Sequence, residues 1–150
     1  MNDDYRQATA GPDADAPPGF TLLPSSTFVK TCGGLYIDPS RDLLAARIRP
    51  EHLNPLEIAH GGFLATLADT AFGWVLKQAA GDQQPPATVS LALDYLSPAR
   101  PGDWVEAHVQ IHKLGRLLSH ASLQLRVGKK LLVQAKATFV HNSASLHGAS

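Results

Sequence analysis

The chain has 150 residues, thirteen basic and thirteen acidic side chains, a formal net charge of zero and 44% hydrophobic content. That length makes one domain able to bury a core without staples. The balanced charge argues against nucleic acid as a partner, and the composition argues against global disorder.

The single cysteine, Cys32, rules out an intrachain disulfide, and no paired His/Cys spacing marks a zinc site. Cys32 reads as a small buried strand residue. No apolar run approaches membrane-spanning length, and the first twenty residues are polar and acidic where a signal peptide is basic and then apolar. A cytoplasmic protein with no membrane partner is expected.

Residues 1–18, rich in Ala, Asp, Gly and Pro, read as a loosely attached extension. The folded domain is expected over 19–141, with a small polar tail, 142–150, that frays. The segment Phe20 to Lys30 is long enough to hold a short helix, against which Pro24 and the pair Ser25-Ser26 count. Leu35–Ile37 and Leu43–Arg49 form a hairpin about the turn Asp38-Pro39-Ser40-Arg41-Asp42, and Pro50 ends it. Glu51 to Ala59 is a loop with a turn at Asn54-Pro55.

His60 to Ala80 is the one long helical pattern. Leu64, Leu67, Ala68, Ala71 and Val75 form an apolar stripe, widened by Phe72 and Leu76 on one flank and Trp74 on the other. Four segments of period two follow. Their expected buried faces are Val89/Leu91/Leu93/Tyr95, Val105/Ala107/Val109/Ile111, Ser119/Ala121/Leu123/Leu125/Val127 and Leu131/Val133/Ala135/Ala137/Phe139. Leu114-Gly115-Arg116 and Gly128-Lys129 are the tight turns. His108, His112, His120 and His141 share no interpretable spacing and read mostly as solvent-facing. The fold class is α+β, an antiparallel sheet wrapped around one helix.

Asp69 stands out within the helix. It is two turns in, too deep to cap the N-terminus, and the positions three and four away are Ala65, Thr66, Phe72 and Gly73, none of them cationic. A solvated carboxylate and a functional one remain open on that observation. Gly61 and Gly62 let another molecule approach bare amides at the positive end of the helix dipole, a place for developing negative charge, or else simply make a flexible helix start.

Asn54, five residues, then His60-Gly61-Gly62 with Asp69 eight residues after Gly61, together with the later string ATVSLALDYLSPARPGD and Gly115-Arg116, resembles the hot-dog-fold acyl-CoA thioesterases of the phenylacetate-pathway-like branch, within the 4-hydroxybenzoyl-CoA thioesterase superfamily. The resemblance covers roughly residues 33–140. It implies a hot-dog fold and an acyl-CoA substrate, hydrolysed without cofactor or metal. By position, it implies that the Gly61 amide and Asn54 polarise the thioester carbonyl and that Asp69 acts as general base, or alternatively as nucleophile. Thr88 would position the water, and His60 would assist departure of the thiol. Gly62 and Phe63 would contact substrate, with Arg100, Gly115 and Arg116 offered to the phosphates of coenzyme A.

Singly, Asn54 also reads as a turn former, His60 as a residue leading into a helix, and Thr88 as a β-branched strand residue. Relatives often have Gly three residues after the Asn, where this chain has Glu57, and some carry a His in the last strand, where Ala137 stands. A non-catalytic acyl-CoA-binding hot-dog protein is the alternative. A hot-dog enoyl-CoA hydratase fits less well, because Glu57 and Glu51-His52 replace that family's His and Gly-Asp. Eight residues of helix separate Gly61 from Asp69, a gap of about 12 Å. A homodimer with shared sites is therefore expected, as the resemblance also implies; a further pairing into a dimer of dimers is expected as well.

Overall fold

The computed structural model describes residues 16–141. Seven strands form one antiparallel sheet: β1 (Thr21–Leu22), β2 (Tyr36–Asp38), β3 (Leu43–Arg47), β4 (Ala87–Tyr95), β5 (Trp104–Leu114), β6 (Leu118–Val127) and β7 (Lys130–Val140). Two α-helices accompany them, α1 (Phe28–Thr31) and α2 (Gly61–Ala80). The spatial order is β1-β2-β3-β5-β6-β7-β4, so β4 forms one edge, hydrogen-bonded to β7 alone among the described strands.

The apolar stripe of α2 determines the architecture. Phe63, Leu64, Leu67, Ala68, Ala71, Phe72, Val75 and Leu76 are buried against inward-facing residues of β3, β5, β6 and β7. Phe72 and Phe139, both nearly inaccessible, meet with ring centroids 5.9 Å apart. Burial of a side chain of this kind contributes about 1.5–3 kcal/mol. The helix ends at Gly81, whose φ of 70° is left-handed; Gly81 N–H bonds Gln78 O and Asp82 N–H bonds Lys77 O, satisfying the last carbonyls. A second cluster, Phe20, Tyr36, Leu43 and Ala45 with Trp104, packs on the outer face of the sheet at its β1 end.

Several expectations need correction. In the Phe20–Lys30 region the expected short helix is present, at Phe28–Thr31 beyond Pro24, but Thr21–Leu22 ahead of it is a strand paired with β2. Cys32 follows that helix and is half-buried, rather than lying in a strand. β4 does not bury its predicted face. Val89 is 58% exposed and Tyr95 51% exposed, because β4 lies at the sheet edge and is bulged between Thr88 and Ser90. In β7 a bulge opposite Leu125 and Arg126 leaves Leu132 as the extra residue, and it is fully buried. His141 is buried as well. Of the expected loose ends, 142–150 lies outside the described residues, as does all of 1–18 except 16–18, where Ala16 packs on the outer cluster.

Candidate active site

His60 precedes α2 in extended backbone, φ −61° and ψ 134°, and its Nδ1 accepts the Gly62 N–H at 2.8 Å. The His60 carbonyl accepts the amides of Phe63 at 3.0 Å and Leu64 at 3.2 Å. Of the first four helix amides, only that of Gly61 lacks an acceptor among the described residues. With Nδ1 accepting, the imidazole proton sits on Nε2 of this exposed ring. The two glycines answer to different neighbours. A Cβ on Gly62 would stand 3.0 Å from His60 Nδ1, and one on Gly61 would stand 3.2 Å from the Tyr95 ring.

Gly61 lines a cavity of about 370 Å³ together with Asn54, Leu64, Tyr95 and Leu96. Asn54 holds its own loop closed. Its Oδ1 accepts the amides of Leu56 at 2.9 Å and Ile58 at 3.4 Å, its N–H bonds Ile58 O, and its carbonyl accepts Glu57 N–H. With Oδ1 engaged, the Asn54 amino group is what remains to donate to a ligand. Glu57 sits at φ 59°, the left-handed conformation that glycine adopts freely. Glu57 therefore holds at a conformational cost a backbone geometry that suits the Gly implied there by the family resemblance.

Asp69, half-buried on α2, accepts the Thr88 hydroxyl at 2.6 Å. The β4 bulge makes this contact possible. Thr88 pairs with inward-facing Phe139, and Leu91 with inward-facing Ala137, while Ser90 between them pairs with Thr138 on the outer face. In an unbulged strand Thr88 and Ser90 would share a face; the extra residue at Val89 turns Thr88 toward the helix. Asp69 and Thr88 do not line the Asn54–Gly61 cavity. Eight residues of helix place the Gly61 and Asp69 backbones about 12 Å apart, so one chain does not bring its own Asp69 carboxylate to its own Gly61 amide.

The remaining candidates disperse. Phe63 is buried, with its ring stacked on His52 at 3.7 Å. His60, Gly62 and Phe63 border a second cavity of about 400 Å³, with Phe28, Cys32 and His52. Arg100 lies before β5, whereas Gly115 and Arg116 follow it. Eleven strand residues separate them by roughly 35 Å, so they do not form one anion site within a chain. Among the described residues, no three His, Cys, Asp or Glu side chains gather to hold a metal, and no helix is long and apolar enough to cross a membrane.

Two arrangements escaped sequence reasoning. Tyr95 donates its hydroxyl to the Gly61 carbonyl at 2.6 Å. Burial raises its pKa above the ordinary value of 10.0, favouring the neutral donor. His141 links Ser119 Oγ, at 2.5 Å from Nε2, to Asp82, at 2.9 Å from Nδ1. This has the connectivity of a nucleophilic triad, but Ser119 is wholly buried on the inner face of β6, where no substrate reaches it. The link instead ties the residue after the α2 cap to β6 and the end of β7.

Comparison with known proteins bears on the family and the fold. The family model described as the thioesterase superfamily matches residues 56–134. A Pseudomonas aeruginosa protein named "Putative esterase PA0474" is 38% identical, over 83% of this chain and 96% of its own length. Mouse acyl-coenzyme A thioesterase 13 is 29% identical, over 67% of this chain and 72% of its own. A solved mutant structure of the phenylacetic acid degradation protein PaaI from Thermus thermophilus superposes with a TM-score of 0.62 at 25% identity, covering 83% of this chain and 94% of that one. The one long helix, the antiparallel sheet wrapped on it and these similarities converge: the chain belongs to the thioesterase superfamily and has the hot-dog fold.

Proposed function

We propose that the protein hydrolyses an acyl- or aryl-CoA thioester to free acid and CoA, with the site shared between two chains. One observation carries the proposal: the unsatisfied Gly61 amide opens at a helix N-terminus onto a cavity that also holds Asn54. Donors fixed before reaction and aimed at a carbonyl oxygen stabilise the oxyanion that forms there, commonly the largest electrostatic contribution to such catalysis. The Asn54 amino group is the second donor.

The base is Asp69, with Thr88 holding one carboxylate oxygen and leaving the other to orient water. Water attacks the thioester carbon while Asp69 takes its proton. The tetrahedral oxyanion collapses and expels the thiolate, to which His60 Nε2–H donates a hydrogen bond as it departs; the thiolate takes up the proton held by Asp69, which restores the carboxylate. Near-attack distances are about 3 Å, against the roughly 12 Å between Gly61 and Asp69 along the helix. The partner's Asp69 therefore serves this chain's Gly61. The free edge of β4, with Val89 and Leu96 exposed beside it, supports pairing of two copies across a two-fold axis. Such dimers assemble further as a dimer of dimers.

A panel of short-, medium- and aryl-acyl CoAs, assayed for released thiol with chelator present, tests the chemistry. Turnover of at least one class is expected. Binding of acyl-CoA with no thiol release from any member would favour the non-catalytic alternative.

A further inference from the structure

We infer that Tyr95 is a positioning residue for the carbonyl-polarising amide, acting through the Gly61–Gly62 peptide; the inference rests on the functional reading above. Both ends of that peptide are held by side chains. Its oxygen, Gly61 O, accepts the Tyr95 hydroxyl at 2.6 Å, and its N–H, on Gly62, donates to His60 Nδ1 at 2.8 Å.

The preceding peptide, which carries the Gly61 N–H, has its carbonyl fixed by the Phe63 and Leu64 amides. Gly61 sits between the two, and glycine restricts its own dihedrals least of all residues. Without the Tyr95 clamp, only the contacts to the His60 carbonyl would fix the direction of the Gly61 amide. The ring adds to the restraint, since it lies close enough to the Gly61 Cα that a Cβ there would be 3.2 Å away.

Strand parity gives this arrangement a second support. Thr88 and Tyr95 are seven residues apart, an odd number that points them to opposite faces of a regular strand. The bulge at Val89 corrects the parity, so that β4 presents Thr88 to Asp69 and Tyr95 to Gly61 together. One strand thus holds both the base and the amide, at opposite ends of its helix-facing side.

Tyr95→Phe keeps the ring and removes only the hydroxyl. An intramolecular hydrogen bond is worth on the order of a two- to tenfold change in an equilibrium, so loosening the amide should lower kcat about tenfold while KM stays within about twofold. The Gly61 and Gly62 amide resonances should shift, with hydrogen exchange at Gly62 about three- to tenfold faster and amides from Ala71 onward unchanged. The exchange measurement needs no substrate, so it reads the clamp even if no acyl-CoA is turned over. Asp69→Asn serves as the activity control. Unchanged Gly61 and Gly62 amides would overturn the inference, as would an unchanged kcat in an enzyme that Asp69→Asn inactivates. Absence of thiol release by the wild type would instead count against the functional reading, with the exchange data deciding the clamp.

Discussion

Mixing two inactive variants tests the shared site. Asn54→Ala removes the proposed donor from the loop, and Asp69→Asn removes the proposed base from the helix while keeping its size. In one chain the cavity at Gly61 is lined by Asn54 and lacks Asp69, and the helix rise places the two ends about 12 Å apart. A homodimer of either variant therefore has two damaged sites. Co-refolded at equal concentration, half of the dimers are mixed. Each mixed dimer has one site with both lesions and one with neither, so about a quarter of wild-type activity should return under random two-fold pairing. Thiol release on the best substrate is the assay, with subunit exchange confirmed by mass-tagged chains. If exchange is complete and the mixture is no more active than the separate variants, Asn54 and Asp69 act within one chain and the helix-length reasoning is wrong.

Gly61→Ala should lower activity at least tenfold because its Cβ would press on the Tyr95 ring at 3.2 Å and displace the hydroxyl that holds Gly61 O; wild-type activity in a folded Gly61→Ala protein would refute the clash. Glu57→Gly should raise stability by about 0.5–1 kcal/mol net, by relieving the left-handed backbone at φ 59°; a lower melting temperature would contradict it. Asp38 is buried, and its carboxyl is held below the ordinary carboxylate range by the Ser40 hydroxyl and then by Arg41. A depressed folded pKa contributes stability that is present above the unfolded value near 4 and lost as pH falls through the folded one. Asp38→Asn should therefore melt lower than wild type at pH 7, with the gap closing in acid below pH 4; a gap that does not depend on pH would refute the linkage.

Much of the fold was legible because its signals are local. The α2 pattern has a 3.6-residue period and Gly at both ends, and the helix runs Gly61–Ala80 as that pattern implies. The β6–β7 turn at Gly128-Lys129 was readable from two alternating runs, and Val127 pairs with Lys130 as expected. The bulges were not legible. Val89, Leu91, Leu93 and Tyr95 alternate without interruption in the sequence, and only the paired strand reveals that Val89 is the extra residue. Leu132 was hidden by the same kind of register shift.

Residues near the site divide in the same way. Asn54, Gly61 and Asp69 could be singled out because their spacing along the chain is short. Tyr95 meets Gly61 across 34 residues, and His141 meets Asp82 across 59, distances over which no periodicity carries information. The odd separation of Thr88 and Tyr95 was the one available signal, and it acquires meaning only once both are known to face α2.

The most direct measurement is steady-state hydrolysis by Asp69→Asn beside equilibrium binding of the same acyl-CoA. The substitution removes the basic carboxylate but leaves an oxygen for the Thr88 hydroxyl, which now donates to Asp69 at 2.6 Å. A general base contributes on the order of 10²–10⁴-fold, so kcat should fall by that factor while affinity and melting temperature stay near wild type. Wild-type turnover in a folded Asp69→Asn protein would contradict the assignment of Asp69 as the base.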